Sequence, residues 1–260
     1  MHQAPVFFIS HGAPTFAIEP GLLGPALGKL GQQLSQTKAV LVVSPHWQTR
    51  EVQVMSTAKP ETVHDFGGFP AALYKLRYPA SGQPDLAKEA ARLLTEAGFA
   101  NTFDDQRGLD HGAWVPMMHL LPDANVPVFQ VSMPRTLTTA QALKLGQALA
   151  PLRAQGVVIL ASGSMTHNLY EFSPYATRAE PYVQEFAAWV RAAVQAKATD
   201  SLVAYRELAP HAQRAHPSEE HFLPLLVAHG ARGDDEVHVI DESVEHGMLS
   251  MESYVWGMPA

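Results

Sequence analysis

Histidines follow several apolar runs in this sequence. His11 comes directly after VFFIS, His46 directly after AVLVVSP, and His167 four residues after GVVILASG. Neutral imidazole is the most common metal ligand among side chains, and it suits zinc, iron and copper. A catalytic metal site takes about three protein ligands and leaves other positions open. The pattern therefore predicts a metal site at which a further histidine serves as an acid or base.

Two further histidines have suitable neighbours. His221 lies in HPSEEHFLPLL and His111 in GLDHGAWVPM. The Pro-Ser pair of the first segment suits the start of a helix over 217–229. Acidic residues stabilise the first turn of a helix, so we interpret Glu219 and Glu220 as helix-stabilising charges. A single loop histidine is more often a hydrogen-bonding or surface residue than a ligand, so the prediction depends on several histidines meeting at one place.

Strands and helices are predicted to alternate along the chain. Continuous β-branched apolar runs predict buried strands, and helical patterns lie between them. The predicted strands cover 6–10, 39–45, 51–57, 126–132, 156–161 and 236–240, and the predicted helices cover 21–36, 84–98, 137–154, 180–196 and 217–229. This alternation is typical of one α/β domain, here residues 1–260, with a central, largely parallel sheet flanked by helices. Ligands of such sheets bind outside the carboxyl ends of the strands, where His11, His46 and His167 are expected to converge.

Composition limits the kinds of partner. The chain has 260 residues, a formal net charge of −7 and no cysteine. A metal must therefore be bound by imidazole, carboxylate or water. The acidic balance without a Lys/Arg cluster argues against nucleic acid, and no apolar run approaches the roughly 20 residues that span a bilayer. No signal peptide is recognisable. We expect a cytoplasmic, soluble protein without nucleic-acid or membrane partners.

Six segments occur in an order that resembles a known family. They are FISHGAP, VSPHW, HDFGGFPAALYKLRYPA, GLDHGAWVPMMHLLP, GSMTHNL and HPSEEHFLPLL. Together with the closing SMESYVWG, they are similar to the class III extradiol dioxygenases of the LigB type, and more closely to the 4,5-DOPA dioxygenase extradiol branch. Each segment alone is a weak signal, whereas the ordered set is specific.

The resemblance implies one divalent metal per chain and O₂-dependent cleavage of a catechol ring beside its hydroxyl pair. It places the metal ligands at His11, His46 and His221. It places the acid/base group at His167, which some descriptions of the family also count as metal-associated. His111 resembles a pocket residue that contacts substrate or oxygen. Fe(II) is expected for dioxygenase activity, and three imidazoles suit Zn(II) equally well. The implied partners are a small aromatic substrate and O₂.

Two other functions stay open from the sequence. A zinc hydrolase would use the same ligands to form a hydroxide nucleophile near neutral pH, and a protein that binds a metal or small phenols would keep the site without turnover. SGSMTH lacks the second glycine of a GxSxG elbow, so serine hydrolase chemistry has no support. Residues 64–84 mix glycine, proline and aromatic types, which is typical of an ordered loop over a pocket. We expect Trp47, parts of 64–78 and His111 to line that pocket.

Overall fold

A mixed sheet forms the centre of the molecule. The structure, a computed structural model, describes residues 3–173, 175–176, 178–241 and 243–258. Within these ranges the strands are β1 (Val6–Ser10), β2 (Ala39–Thr49), β3 (Val52–Met55), β4 (Asn101–Asp104), β5 (Val128–Pro134), β6 (Val157–Gly163), β7 (Val237–Asp241), β8 (Val244–Glu245), β9 (Leu249–Ser250) and β10 (Ser253–Trp256). Eight of them form one sheet in the order β4-β3-β5-β2-β6-β1-β10-β7, and β8 pairs with β9. The predicted fold class, a single α/β domain with a central, largely parallel sheet flanked by helices, is confirmed.

The middle of the sheet is parallel. β2 pairs with β5 and with β6, and β6 pairs with β1, all in the parallel sense. Antiparallel pairs join β10 to β1 and β7, and β3 to β5. β1 and β6 are buried along their whole length, which accounts for their continuous apolar sequences, since a parallel sheet covered on both faces has no solvated side. The carboxyl ends of these parallel strands meet at one edge.

Helices flank the sheet. They are α1 (Leu23–Gly31), α2 (Pro84–Glu96), α3 (His111–Leu120), α4 (Thr139–Leu149), α5 (Pro181–Gln195), α6 (Thr199–Val203), α7 (Tyr205–Leu208), α8 (Ala212–Ala215) and α9 (Leu223–Ala231). α3 packs on α1 and contacts β2, whereas α9 packs on α4 and contacts β1, β2 and β6. Among the helices of the described ranges, none is both long and apolar enough to cross a bilayer.

A bulge interrupts β2 just where a candidate ligand occurs. The ladder between β2 and β5 is regular as far as Val43 and resumes at Gln48, while β5 advances by only two residues over the same distance. Residues 44–47 therefore leave the regular pairing, as extra residues in a bulge do. This local departure places His46 within the strand's carboxyl-terminal part rather than after its end.

The helix that follows His221 begins later than the sequence predicts. α9 starts at Leu223, with Pro224 in its first turn, instead of at residue 217. Proline is favoured at the first positions of a helix because its missing N–H needs no partner there. The second proline of the segment sets the start, so the prediction based on Pro217 is wrong. His221 consequently lies on a turn before the helix.

Eight α-helices and strands of the described ranges are missing from the sequence-based prediction, namely α3, α6, α7, α8, β4, β8, β9 and β10. α3 carries Pro116 in its interior and buries nearly all of its residues, so it lacks the polar stripe by which an amphipathic helix is recognised. β4 is short and partly exposed, with the sequence NTFD, and β10 has only four residues. Such short strands form because a neighbouring strand offers an open edge, which local sequence does not reveal.

Candidate active site

Strand ends and one turn bring four histidines together. His11 follows β1, His46 lies in the bulge of β2, His167 is in the loop after β6, and His221 is on the turn before α9. Backbone hydrogen bonds attach two of them to the end of β6. The N–H of His11 donates to a β6 carbonyl at 2.9 Å, and the carbonyl of His221 accepts from Ser164 at 2.9 Å. The predicted convergence at the carboxyl edge of the sheet is thus present.

Three of these imidazoles have the spacing of metal ligands. His11, His46 and His221 each offer one ring nitrogen, and these nitrogens lie within 4.8 Å of one another. Nε2 of His46 is 3.1 Å from Nε2 of His11. With Zn–N bonds of about 2.0–2.1 Å, two nitrogens on a tetrahedral ion are separated by roughly 3.3 Å. The pair fits two ligands of one ion, and the cluster could hold a metal.

The hydrogen bonding of His221 also fits a role as a metal ligand. Its Nδ1 lies 2.9 Å from Oε1 of Glu220, and a neutral imidazole that donates from Nδ1 has only a lone pair on Nε2. Nε2 of His221 is buried and has no hydrogen-bond partner. Buried polar atoms without a partner are rare in folded proteins. A metal ion at the cluster would satisfy this nitrogen.

Burial keeps the three imidazoles neutral. It is the main cause that lowers the pKa of His11 and of His221 well below the ordinary value, and the neighbouring imidazoles add to the effect. Burial, followed by the proximity of His111, also lowers the pKa of His46 to about 4. Neutral imidazole is the form that binds a metal. These residues are therefore in the ligand form near neutral pH.

Asp65 connects two of the candidate histidines. Its Oδ1 accepts a hydrogen bond from the backbone N–H of His111 and lies 2.9 Å from Nδ1 of the same residue. Its Oδ2 is 3.8 Å from Nδ1 of His46. Burial acts to raise the pKa of Asp65, but hydrogen bonds from His111 outweigh it and lower this pKa to about 2. The ionised carboxylate holds the His111 proton on Nδ1 and leaves Nε2 as an acceptor.

His167 lies against His221. The two rings are stacked, with centroids 3.5 Å apart and an angle of 9° between their planes. Burial lowers the pKa of His167, and the charge of Glu220 acts in the opposite direction. One ring nitrogen of His167 lies within 4.8 Å of a carboxylate oxygen of Glu220 and of a ring nitrogen of His221. The position is compatible with an acid/base role and with a role as ligand.

Comparison with known proteins links this site to a reaction. Residues 22–257 match the catalytic LigB subunit of aromatic ring-opening dioxygenase. The 4,5-DOPA dioxygenase extradiol of Beta vulgaris is 40% identical over 254 residues, which are 95% of this chain and 94% of that protein. The protein of the same name from Escherichia coli K12 is 38% identical over 261 residues, 96% of this chain and 94% of the relative.

The chain belongs to the LigB family. The crystal structure of an uncharacterized Escherichia coli K12 protein has the same fold, with a TM-score of 0.81 and 30% identity over 97% of this chain and 99% of that chain. The resemblance inferred from the six sequence segments is confirmed, and this LigB protein is an oxidoreductase of the extradiol ring-cleavage class.

A cavity opens at the histidines of the LigB protein. Its volume is about 530 Å³, which is typical of sites for small molecules. All five candidate histidines line this cavity, namely His11, His46, His111, His167 and His221. The large apolar side chains among the remaining lining residues are Phe66, Phe69, Leu169, Phe172 and Leu249. The expectation that the loop of residues 64–84 contributes to the pocket agrees with the positions of the two phenylalanines.

A buried carboxylate supports the bulge that carries His46. Asp110 accepts hydrogen bonds from Oγ of Ser44 at 2.7 Å and from Arg107 at 2.8 Å, and Oγ of Ser44 accepts from the backbone N–H of His46 at 3.2 Å. Gly112 packs against this arrangement so closely that a Cβ there would lie 2.4 Å from Oγ of Ser44 and 3.0 Å from Cδ2 of His46. The LigB protein therefore needs glycine at this position.

Two expectations about the surroundings are wrong. Trp47 does not line the cavity; it is buried beneath the guanidinium of Arg107, whose Cζ is 5.1 Å from the ring centroid. Glu219 and Glu220 do not occupy the first turn of a helix, because α9 begins after them. Glu219 instead accepts a hydrogen bond from a tyrosine hydroxyl of α7 at 3.1 Å, and Glu220 binds the adjacent imidazole.

Sequence reasoning also misses residues that shape the site. Asp65 contacts His111 and His46, which are distant from it in the sequence. The only sequence signal for this role is that Asp65 follows a histidine at the start of the loop of residues 64–84. Leu169 and Phe172 line the cavity from the segment just after His167. The available signal is the presence of large apolar side chains in a loop next to a candidate base, where polar residues are usual.

Proposed function

We propose that this LigB protein is a metal-dependent extradiol dioxygenase that opens the ring of a substituted catechol with O₂, next to the hydroxyl pair. The observation that carries the proposal is the cluster of three neutral imidazoles in a cavity whose other lining residues are two further histidines and mainly apolar side chains. The relatives named 4,5-DOPA dioxygenase extradiol support the reaction type. The match over 22–257 supports one catalytic domain over residues 1–260.

His11, His46 and His221 hold the metal in this proposal. A bound metal would lower the pKa of the catechol hydroxyls, and Fe(II) would in addition relay an electron between the ring and O₂. Zinc has no redox chemistry, so Fe(II) is the active form and Zn(II) an alternative occupant of the same ligands. Family membership favours ring cleavage over the zinc hydrolase as a function for this donor set.

His167 moves the protons. It borders the cavity, where burial lowers its pKa and the negative charge of Glu220 partly opposes this effect. As a neutral base it removes a proton from a catechol hydroxyl, and as the conjugate acid it returns that proton to an oxygen of the opening ring. Because burial lowers its pKa, His167 is available as a neutral base, and the carboxylate of Glu220 stabilises the imidazolium that forms when it accepts the proton.

His111 positions the reactants. Its Nδ1 proton is held by Asp65 at 2.9 Å, so its ring orientation is fixed and Nε2 is the atom left to contact a substrate hydroxyl or oxygen. The apolar side chains of the cavity offer no competing hydrogen bonds to a substrate held by this imidazole. The chain thus supplies ligands, a base, an orienting imidazole and a largely apolar cavity wall.

Anaerobic reconstitution with Fe(II), followed by a panel of catechols and aminophenols in air, tests the proposal. One O₂ should disappear per catechol, and ¹⁸O₂ should label the product with both oxygen atoms before exchange. The product should be a yellow hydroxy-semialdehyde or a compound cyclised from it. The zinc form should bind catechols and turn them over poorly. The proposal is wrong if the iron form consumes no O₂ across the panel, or if the ring opens between the hydroxyls. Hydrolysis without O₂ would favour the zinc hydrolase.

A further inference from the structure

We propose that Glu220 is a positioning residue of the metal site and that it acts on the metal through His221. Its carboxylate holds the Nδ1 proton of that imidazole, keeps Nε2 directed at the metal and adds negative charge to a site whose three ligands are neutral. This inference rests on the proposed ligand set and deepens it, since it names what holds one of the ligands.

Glu220 occupies the Nδ1 side of His221. Its Oε1 lies 2.9 Å from Nδ1 of His221 and accepts a hydrogen bond from Oγ of Ser218 at 3.1 Å, which helps to hold the carboxylate in place. Nε2 of the same imidazole is buried and has no hydrogen-bond partner. The two ring nitrogens point in diverging directions, so the ring separates Oε1 from an ion bound at Nε2. Glu220 therefore acts through the imidazole and not as a ligand.

The two other candidate ligands have different partners at Nδ1. Nδ1 of His11 lies 2.9 Å from Oγ of Ser162, a neutral hydroxyl. Nδ1 of His46 lies 3.8 Å from Oδ2 of Asp65, which is longer than a hydrogen bond. Of the three imidazoles, that of His221 is therefore the one with a carboxylate at hydrogen-bond distance. Charge-assisted hydrogen bonds are roughly twice as strong as neutral ones, so this ligand is held most firmly.

Glu220 has no lysine or arginine partner among the described residues. Arg135 and Arg206 line the same small cavity as Glu220, but neither forms an ion pair with its carboxylate. Arg206 instead faces Glu219, with Nε 3.8 Å from Oε1. The Glu220 side chain is 25% exposed, so solvent screens its charge only in part. The imidazole of His221 is thus the group on which this charge acts most directly.

The contact has two consequences for a bound metal. A carboxylate on the second nitrogen of a metal-binding histidine fixes the tautomer and the ring orientation, and it raises the basicity of the ligand. Iron(II) oxygenases commonly bind their metal with two histidines and one carboxylate, whereas the candidate set here is three imidazoles. Glu220 supplies negative charge one hydrogen bond farther out, through His221, and so compensates in part for the missing carboxylate ligand.

The metal affinity of matched variants tests the proposal. Glu220→Gln keeps the size and an acceptor oxygen but removes the charge, and Glu220→Ala removes both. Competition with a chromophoric chelator should give a Kd for Zn(II) about tenfold higher in the first variant and up to about 100-fold higher in the second, the range for residues that hold metal ligands. Glu219→Gln is the matched control, because it removes the same charge one residue away, from a side chain that contacts Tyr205 and Arg206 instead of an imidazole. The control should keep the wild-type Kd.

Three results of this titration would overturn the proposal. They are a wild-type Kd in both Glu220 variants, an equal loss of affinity in Glu219→Gln, and a loss in Glu220→Ala as large as that in His221→Ala, which would make Glu220 a ligand. Circular dichroism reports whether each variant folds. Glu220→Gln has the size of the native side chain, so it decides the matter alone if the alanine variant does not fold.

The Nδ1 proton of His221 gives a readout that a merely structural role would not change. In the zinc form, saturated with metal, NMR of nitrogen-15-labelled histidine should show this proton shifted downfield by its bond to the carboxylate, and His221→Ala identifies the resonance. In Glu220→Ala the resonance should move upfield and exchange faster with water. An unchanged resonance would contradict the proposal.

Both measurements use the zinc form and need no turnover, which separates this inference from the proposed function. If the iron form consumes no O₂ while the Glu220 variants lose affinity, the dioxygenase reaction fails and the positioning role stands. If the iron form is active while affinity and proton resonance are unchanged in the variants, the positioning role alone fails. A wild-type protein that binds neither metal would overturn both.

Discussion

The imidazole ring of His167 lies flat against that of His221, with centroids 3.5 Å apart and planes within 9° of parallel. Nδ1 of His221 lies 2.9 Å from Oε1 of Glu220. The ring contact holds a candidate base against a candidate ligand, so removing one side chain also removes packing from the other. Variants must therefore distinguish the loss of a ring from the loss of a proton carrier.

His167→Ala should keep most of its metal while kcat falls by roughly 10²–10⁴, the usual range for general acid–base catalysis. His167→Phe is the matched variant, because it keeps a flat ring against His221 but cannot carry a proton. It should retain metal at least as well and lose the same activity. Metal analysis and O₂ uptake measure the two effects. If His167→Ala loses as much metal as His11→Ala, the residue is a ligand instead.

Replacing any one of His11, His46 and His221 by alanine should cut metal content sharply, since each substitution removes one of about three protein ligands. His238→Ala is the control, because that histidine is exposed on β7. Metal per chain is measured after equal exposure to Fe(II) or Zn(II), and circular dichroism reports whether the fold survives. Full metal retention by all three variants would rule out this ligand set.

Asp65→Asn should lower metal affinity and kcat/KM by about 10–100-fold, the range found for residues that orient metal ligands. The amide oxygen can still accept from Nδ1 of His111, but the substitution removes the negative charge that strengthens this bond and faces His46. Asp85→Asn is the matched control, because Asp85 forms only an exposed contact with Lys88 at 2.9 Å. Wild-type values for Asp65→Asn would show that the loop does not position the histidines.

The candidate ligands differ in how far the sequence predicts them. His11 and His46 can be predicted because each follows a continuous apolar run within or at the end of a strand, and buried parallel strands end at one edge of the sheet. The placement of His221 is less accessible, since two prolines compete for the start of the helix and only packing decides between them. The role of Asp65 cannot be predicted from the sequence, because its contact with His111 depends on the path of a long loop.

Gly112→Ala should disturb the site because the new Cβ would lie 2.4 Å from Oγ of Ser44. Overpacking of this kind costs typically about 1–3 kcal/mol, and relief by movement of the bulge would displace His46. We expect a lower Tm together with reduced metal content. Gly28→Ala is the control, because a Cβ there makes an ordinary contact of 3.6 Å with the carbonyl oxygen of His119. Unchanged metal content in Gly112→Ala would show that the bulge adapts without moving the ligand.

His229 should make the fold sensitive to acid. Burial and then the charge of Arg232 lower the pKa of His229 to about 3, and its Nε2 lies 3.0 Å from Oγ1 of Thr199. Because the folded-state pKa is below the ordinary value near 6.5, the unfolded chain binds more protons between these two values. The contribution of His229 to the free energy of unfolding is therefore complete above about pH 6.5. It decreases as the pH falls toward 3, by up to about 1.4 kcal/mol per pH unit.

Urea unfolding at several pH values, at fixed metal content, measures this dependence. His229→Gln should have a flatter profile below pH 6.5, and His238→Gln, at an exposed position on β7, should follow the wild-type curve. An unchanged slope in His229→Gln would show that this histidine does not resist protonation in the folded protein.

The order of the site residues along the chain has a consequence for biosynthesis. β1 and β2, with His11 and His46, leave the ribosome early, whereas the turn that carries His221 and the strand β10 beside β1 come near the end of translation. A nascent chain that stops before this turn has only two of the three proposed ligands. Metal capture by all three can therefore follow only after most of the chain has emerged, and a prematurely terminated product would be deficient in metal even where its central strands have folded.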